Sequence, residues 1–333
     1  IPCYTGVMAK SKSGAKDKKA TGKKPGGKRA GDIFDRSFKQ IISSLSQGAM
    51  TRFINGLFGC DYPPDSEVRR LSAEQIGTGL EKRLPDEVVS IAGRTYIIEE
   101  QTADDANMAI RVFEYSFAQA LREKETEEGV ITLPFPRAAV IYLEAGRATP
   151  DSLEIRVAFP GGDTGRYMIE TVKLLEYSIE GIAERGLSAL LPFYILKLRR
   201  GAREAKTEEE RREVEAGFRE TGMRLKEAIE GSAERGLFTD EDLATLLERL
   251  MGLVQYIGEG YETTEVTDML DKTYMGYGTR MRLEGEREGK LEGEREGERR
   301  GKLEGATERR RLEKEIERLR QENEELSRKL QTA

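Results

Sequence analysis

Two short runs of β type, Glu87 to Ile91 and Thr95 to Gln101, are separated only by Ala92-Gly93-Arg94. β-branched and aromatic residues flanking a glycine turn specify a hairpin. A hairpin constrains its surroundings strongly, because its register decides which side chains share a face. With Ala92-Gly93 as the two-residue loop, Asp86 stands opposite Glu99; with Gly93-Arg94 it stands opposite Gln101. Either register puts Asp86 beside the Glu99/Gln101 edge. Strand alternation gives Glu99 and Gln101 one face and turns Glu100 to the other.

Around the hairpin the pattern is helical. Phe34, Phe38, Ile41, Ile42 and Leu45, then Met50, Phe53, Ile54 and Leu57, recur at spacings of three and four, with a break near Gly48 and an end at Asp61-Tyr62-Pro63-Pro64. Asp104 and Asp105 are N-cap candidates for a helix of about 18 residues ending near Glu123. Arg137 to Leu143 reads as a strand buried on both faces, and Leu153 to Phe159 and Arg166 to Leu174 as strands either side of Pro160-Gly161-Gly162. Leu187 to Arg199, 207 to 231 and 239 to 258 read as helices, the last two charged on one face like a subdomain or lid. The expected class is α/β, a mixed sheet flanked by helices.

Charged residues make up 35% of the 333-residue chain and hydrophobic ones 37%. The charge excess sits at the ends and in the C-terminal third, so the centre carries the globular fold. The net charge of -6 gives no global attraction to nucleic acid, and such binding has to come from local basic segments or bridging metal. One such segment exists. Residues 1 to 31 form a basic arm expected to be disordered: from Lys10 to Arg29 it holds nine Lys or Arg against Asp17 alone. It suits a solubilising tail and a phosphate-binding arm equally. Met8 directly precedes the basic run, so residues 1 to 7 read as upstream translation or a fragment edge. The chain has two cysteines, Cys3 and Cys60, and no histidine, which argues against a disulfide framework or a Cys/His zinc site. No signal-peptide core or spanning apolar run is visible, and a cytoplasmic location without membrane contact is the expectation.

The tail has its own periodicity. Glycine falls at Gly285, Gly289, Gly293, Gly297, Gly301 and Gly305, each costing a helix about 1 kcal/mol. Residues 276 to 310 are therefore expected to be a flexible or partner-dependent linker. In 311 to 333, Ile316, Asn323 and Leu330 take heptad position a, with Leu312, Leu319 and Leu326 at d. That pattern suits a parallel dimeric coiled coil with a buried Asn fixing register, against the plainer alternative of a charged solitary helix.

The chemistry concentrates at the hairpin. Two adjacent carboxylates suit a hard divalent cation such as Mg²⁺ or Mn²⁺, which leaves its other positions to water and phosphate. Such an ion lowers the pKa of bound water and offsets charge on a phosphodiester. Arg111 and Tyr115, at i, i+4 on the following helix, share a face and can reach one point over the sheet edge. An Arg paired with a surface acid and a Tyr in the core explain that spacing equally well.

Leu84-Pro85-Asp86, Tyr96-Ile97-Ile98-Glu99-Glu100-Gln101, Asn107-Met108-Ala109-Ile110-Arg111 and Glu114-Tyr115 together resemble the PD-(D/E)xK nuclease family often labelled transposase, related to the recombination-promoting nucleases. Phe34-Asp35-Arg36-Ser37-Phe38-Lys39 resembles that family's opening D-x-x-F-K. Phe135-Pro136 resembles the lead-in to its third core strand, and Leu190-Leu191-Pro192-Phe193 its downstream LLP segment. The resemblance covers roughly residues 32 to 200, with a helical subdomain expected over 201 to 275. It implies a restriction-endonuclease-like core in which Asp86 and Glu99 bind metal and Gln101 takes the place of the superfamily lysine. Arg111 and Tyr115 would support substrate binding, with Asp35 and Lys39 accessory. A Gln lacks the charge to stabilise a hydroxide or a pentacovalent phosphate, but it can orient a water. The leading expectation is a DNA endonuclease made dimeric by its tail. The runner-up is a non-catalytic DNA-binding or scaffold protein of the same fold, and a coiled-coil adaptor stands third.

Overall fold

The computed structural model describes residues 30–71, 85–102 and 105–331. The basic run from Lys10 to Arg29, Cys3, Leu84 and Asp104 lie outside them.

Helices α1 (Ala30–Ser44) and α2 (Gln47–Phe58) open the fold. Their break falls at Leu45-Ser46, slightly before Gly48, because the Ser46 hydroxyl caps α2 by accepting from the Ala49 amide. Gly56 is required where α2 meets the 183–186 turn, since a Cβ there would fall 1.9 Å from the Arg185 carbonyl oxygen. A short strand, β1 (Val68–Arg70), precedes the hairpin of β2 (Glu87–Ile91) and β3 (Arg94–Gln101). The loop is Ala92-Gly93, with both residues at positive φ, 49° and 76°, as a two-residue turn matched to strand twist needs. Helix α3 (Met108–Arg122) follows. It is shorter than expected and starts after Asn107; Asp105 supports the preceding turn instead, its carboxylate accepting from the Asn107 amide at 2.9 Å.

A small hairpin, β4 (Glu125–Glu127) and β5 (Val130–Thr132), stands apart from the main sheet. Strands β6 (Arg137–Tyr142), β7 (Ser152–Ala158) and β8 (Thr164–Lys173) complete that sheet. It has six strands in the order β1-β2-β3-β6-β8-β7. β1, β2 and β3 pair antiparallel, β3-β6 and β6-β8 parallel, and β7-β8 antiparallel. This is a mixed α/β fold.

Helix α4 (Ile179–Glu184) leads to Ser188–Leu198, which is 3₁₀ rather than α-helix and contains Pro192. Proline has no amide hydrogen to donate and fits poorly in an α-helix interior. Helices α5 (Arg199–Glu204), α6 (Glu208–Glu234) and α7 (Asp240–Ile257) come next. Phe218, Leu225, Leu246 and Leu250 from α6 and α7 join Phe34, Phe53, Ile98 and Phe193 in one continuous apolar cluster on one sheet face. The other face carries a smaller cluster under α3, built from Val88, Ile97, Val112, Tyr115, Tyr142 and Ile169.

The chain closes with α8 (Thr264–Gln331), a single helix of 68 residues. Its first turns pack on the core through Val266 and Leu270. The glycine-periodic stretch expected to be flexible or partner-dependent is helical within it. A Cβ at any of Gly285 to Gly305 on that stripe would meet nothing within 4 Å. No helix among the described residues is long and apolar enough to cross a membrane.

Candidate functional site

The site lies where β2 begins and β3 ends. The ladder pairs Glu87 with Ile98, so Asp86 is one step beyond it, opposite Glu99, as the Ala92-Gly93 loop dictates. The Asp86 amide donates to Glu99 Oε1 at 3.3 Å. The Glu100 amide would be left bare on the β2 side, and it donates to Asp86 Oδ2 at 2.7 Å. A side-chain carboxylate thus ends the ladder where the backbone of β2 stops. This bond fixes the Asp86 carboxylate between the two faces of the sheet.

Each face sends a cation. From α1, Lys39 Nζ lies 2.8 Å from Asp35 Oδ1 and 3.1 Å from Asp86 Oδ1. From α3, Arg111 donates through Nη2 to Glu99 Oε2 at 3.3 Å and through Nη1 to Asp105 Oδ2 at 2.9 Å. The open alternative for Arg111 resolves as both: it pairs with the partly exposed Asp105 and with Glu99, only 1% exposed. Tyr115 joins the α3-side core. Its hydroxyl and Arg111 Nε are buried without a well-formed hydrogen bond among the described residues, and the two side chains lie close enough to influence each other's charge.

Burial pushes the Glu99 carboxyl well up from the ordinary carboxylate range, and the charge of Asp86 adds to this, against the pull of Arg111. Burial also raises Asp86, opposed by the Glu100 amide and Lys39. On the opposite face of β3, Glu100 is buried among α1-side groups and pushed up to about 8, chiefly by desolvation, with the Thr102 hydroxyl pulling the other way. For Arg111, burial opposes the charge, yet the field of Glu99 raises its pKa overall. The site therefore holds more negative charge than its desolvated surroundings favour. A cation relieves such a condition.

Asp86 and Glu99 fit a hard divalent ion by donor chemistry: two desolvated carboxylates, the charge of one raising the pKa of the other. No cluster of three or more Asp, Glu, Cys or His that could hold a metal forms among the described residues. Gln101 ends β3 on the Glu99 face, half-buried and opposite Tyr142. The structure thus brings Asp86, Glu99, Arg111 and Lys39 into contact, with Asp35 through Lys39, and sets Tyr115 and Gln101 on the same side as Glu99. The Asp105 partner of Arg111 was missed, its acid having been read as a helix cap. The burial of Glu100 was missed as well: alternation gives its face but not what covers it.

Set against known proteins, the chain matches no family model, no curated protein and no solved structure. The reading of the site rests on the chain's own residues.

Proposed function

We propose that this protein is a metal-dependent nuclease of the PD-(D/E)xK type that hydrolyses DNA phosphodiester bonds. One observation carries the reading: Asp86 and Glu99 stand opposite each other at the end of one hairpin, the Asp86 amide donating to the buried Glu99 carboxylate, while Lys39 reaches Asp86 and Arg111 reaches Glu99 from opposite faces. Asp86 and Glu99 would hold Mg²⁺ or Mn²⁺, which when bound supplies an acidified water and neutralises phosphate charge. Gln101 orients the attacking water by hydrogen bonding. Arg111 opposes the burial that raises the Glu99 carboxyl, and its Nε and the Tyr115 hydroxyl offer donors to the substrate.

The tail supports a dimer as part of the same reading. From Arg282 to Glu322 every described side chain is exposed, including Leu312 at 55%, Ile316 at 51% and Leu319 at 53%. A glycine-rich helix with no tertiary contacts is marginal alone, and its a and d residues suit a second copy of itself. Two joined copies would bring two active sites to one duplex.

A second reading, a nuclease-fold DNA-binding scaffold without turnover, is favoured by the neutral Gln101. Plasmid cleavage by wild type and Glu99→Ala, with Mg²⁺, Mn²⁺ or EDTA, separates the two. Metal-dependent nicking lost in the variant is the expected result; no nicking by either, with DNA binding intact, sinks the nuclease in favour of the scaffold.

A further inference from the structure

We propose that Lys39 supplies to the substrate phosphate the fixed positive charge that Gln101 lacks, an inference that rests on the nuclease reading. A phosphodiester approaching Asp86 and Glu99 meets two carboxylates, with Asp35 beside them, and needs a cation close to its anionic oxygens. Gln101 is neutral. Both Nη atoms of Arg111 are bound to Glu99 and Asp105, so those acids offset its charge and its buried Nε is what it has left to offer as a donor. At the same end of the sheet Arg199 is ion-paired with Glu144, and Arg70 is taken by Glu87 and the Leu45 carbonyl. Lys39 differs from these three in position. Its ammonium touches the Asp86 carboxylate itself, and its side chain is 47% exposed. It lines an open cleft of about 450 Å³ with Asp35, Arg36, Gln40, Ser43, Asp86 and Glu87, and of the two cations in that cleft Lys39 is the one ion-paired with Asp86.

The placement is held firmly from behind. Phe34 and Phe38, beside Lys39 on α1, are fully buried in the large core, so the helix cannot rotate without opening that core. Asp35, one turn back, holds the ammonium on its second side. An ammonium on a flexible stem acts toward phosphate as a point charge, and loss of one preorganised electrostatic contact typically costs about 100- to 1000-fold in rate.

The test compares wild type, Lys39→Arg and Lys39→Met in Mg²⁺-dependent plasmid cleavage. Alongside it, Mn²⁺ alone and then inorganic phosphate are titrated calorimetrically into each protein. Circular dichroism and melting confirm that each variant folds. Lys39→Met should lose at least about 100-fold in kcat, bind Mn²⁺ no more weakly, and hold phosphate at least tenfold more weakly once Mn²⁺ is bound. Lys39→Arg should keep most phosphate affinity. The proposal is overturned if Lys39→Met cuts at the wild-type rate, binds phosphate as well as wild type, or loses Mn²⁺ together with phosphate, which would make Lys39 a prop for Asp86. If wild type does not cut, the nuclease reading fails and the phosphate titration alone decides Lys39. Absence of phosphate binding by Mn²⁺-loaded wild type then overturns it.

Discussion

Glu99 and Glu100 are neighbours in sequence, both buried, and face opposite sides of one sheet. Glu100 looks into the thick side, where α1 covers β3 and α2, α6, α7 and the 3₁₀ segment share its apolar cluster, and its one side-chain partner among the described residues is the Thr102 hydroxyl. Glu99 looks into the thin side, covered by α3, and meets Arg111 and the Asp86 amide. Burial is therefore common to the two acids and cannot mark a site. What distinguishes Glu99 is convergence: a second carboxylate, a guanidinium and donors without a partner among the described residues gather on its side.

The largest expected effect tests that distinction directly. Glu99→Ala should reduce plasmid cleavage by on the order of 1000-fold, whereas Glu100→Ala should cost less than about tenfold; equal losses would break the comparison. The next concerns thickness. Phe193→Ala on the helical side should destabilise by about 3–5 kcal/mol and Met108→Ala on the buried face of α3 by about 2 kcal/mol, read from urea midpoints, because a thin layer relaxes around a cavity more easily. A reversed order would show the α3 face to be the tighter one.

A smaller effect is the pH dependence of the metal-free protein. Glu100 sits at about 8 when folded against an ordinary 4.5, so the folded chain keeps a proton that the unfolded chain releases between those values. Its stabilising contribution is present below about 4.5 and is lost as pH rises towards 8, at a limit of about 1.4 kcal/mol per pH unit. Glu100→Gln should flatten that part of the profile in thermal melts with EDTA; an unchanged slope would place the titration elsewhere. The smallest effect lies at the hairpin loop. Ala92 holds φ at 49°, where a Cβ is strained, and Ala92→Gly should stabilise by about 0.5 kcal/mol, measured in the same denaturation series.

Much of this was legible from sequence because it is local. The residues around Ala92-Gly93-Arg94 gave the hairpin and put Asp86 beside the Glu99/Gln101 edge, while the choice between Glu99 and Gln101 as its partner waited on the loop geometry. Period-three-and-four spacing gave α1, α2, α6 and α7, and the Pro160-Gly161-Gly162 turn gave β7 and β8. The rest depends on long-range packing or on weak local signals. Three-residue strands such as β1, β4 and β5 are too short to show a period. A proline in an apolar run hid the 3₁₀ segment at 188–198. The Lys39–Asp86 contact joins residues 47 apart and no spacing reports it. Propensity argued against helix at the tail glycines, yet the helix runs through them.

The tight turn at Ala92-Gly93 carries a consequence for how the molecule is made. Because side chains alternate, a hairpin mispaired by one position would present Glu100 where Glu99 now stands, and hand Arg111 the wrong acid. The loop that prevents this lies about 20 Å along the strand from the acids it sorts. Hairpins close within microseconds, so the assignment is made early in folding, by two small residues with no part in the chemistry. Fidelity at this site is a property of its most distant corner.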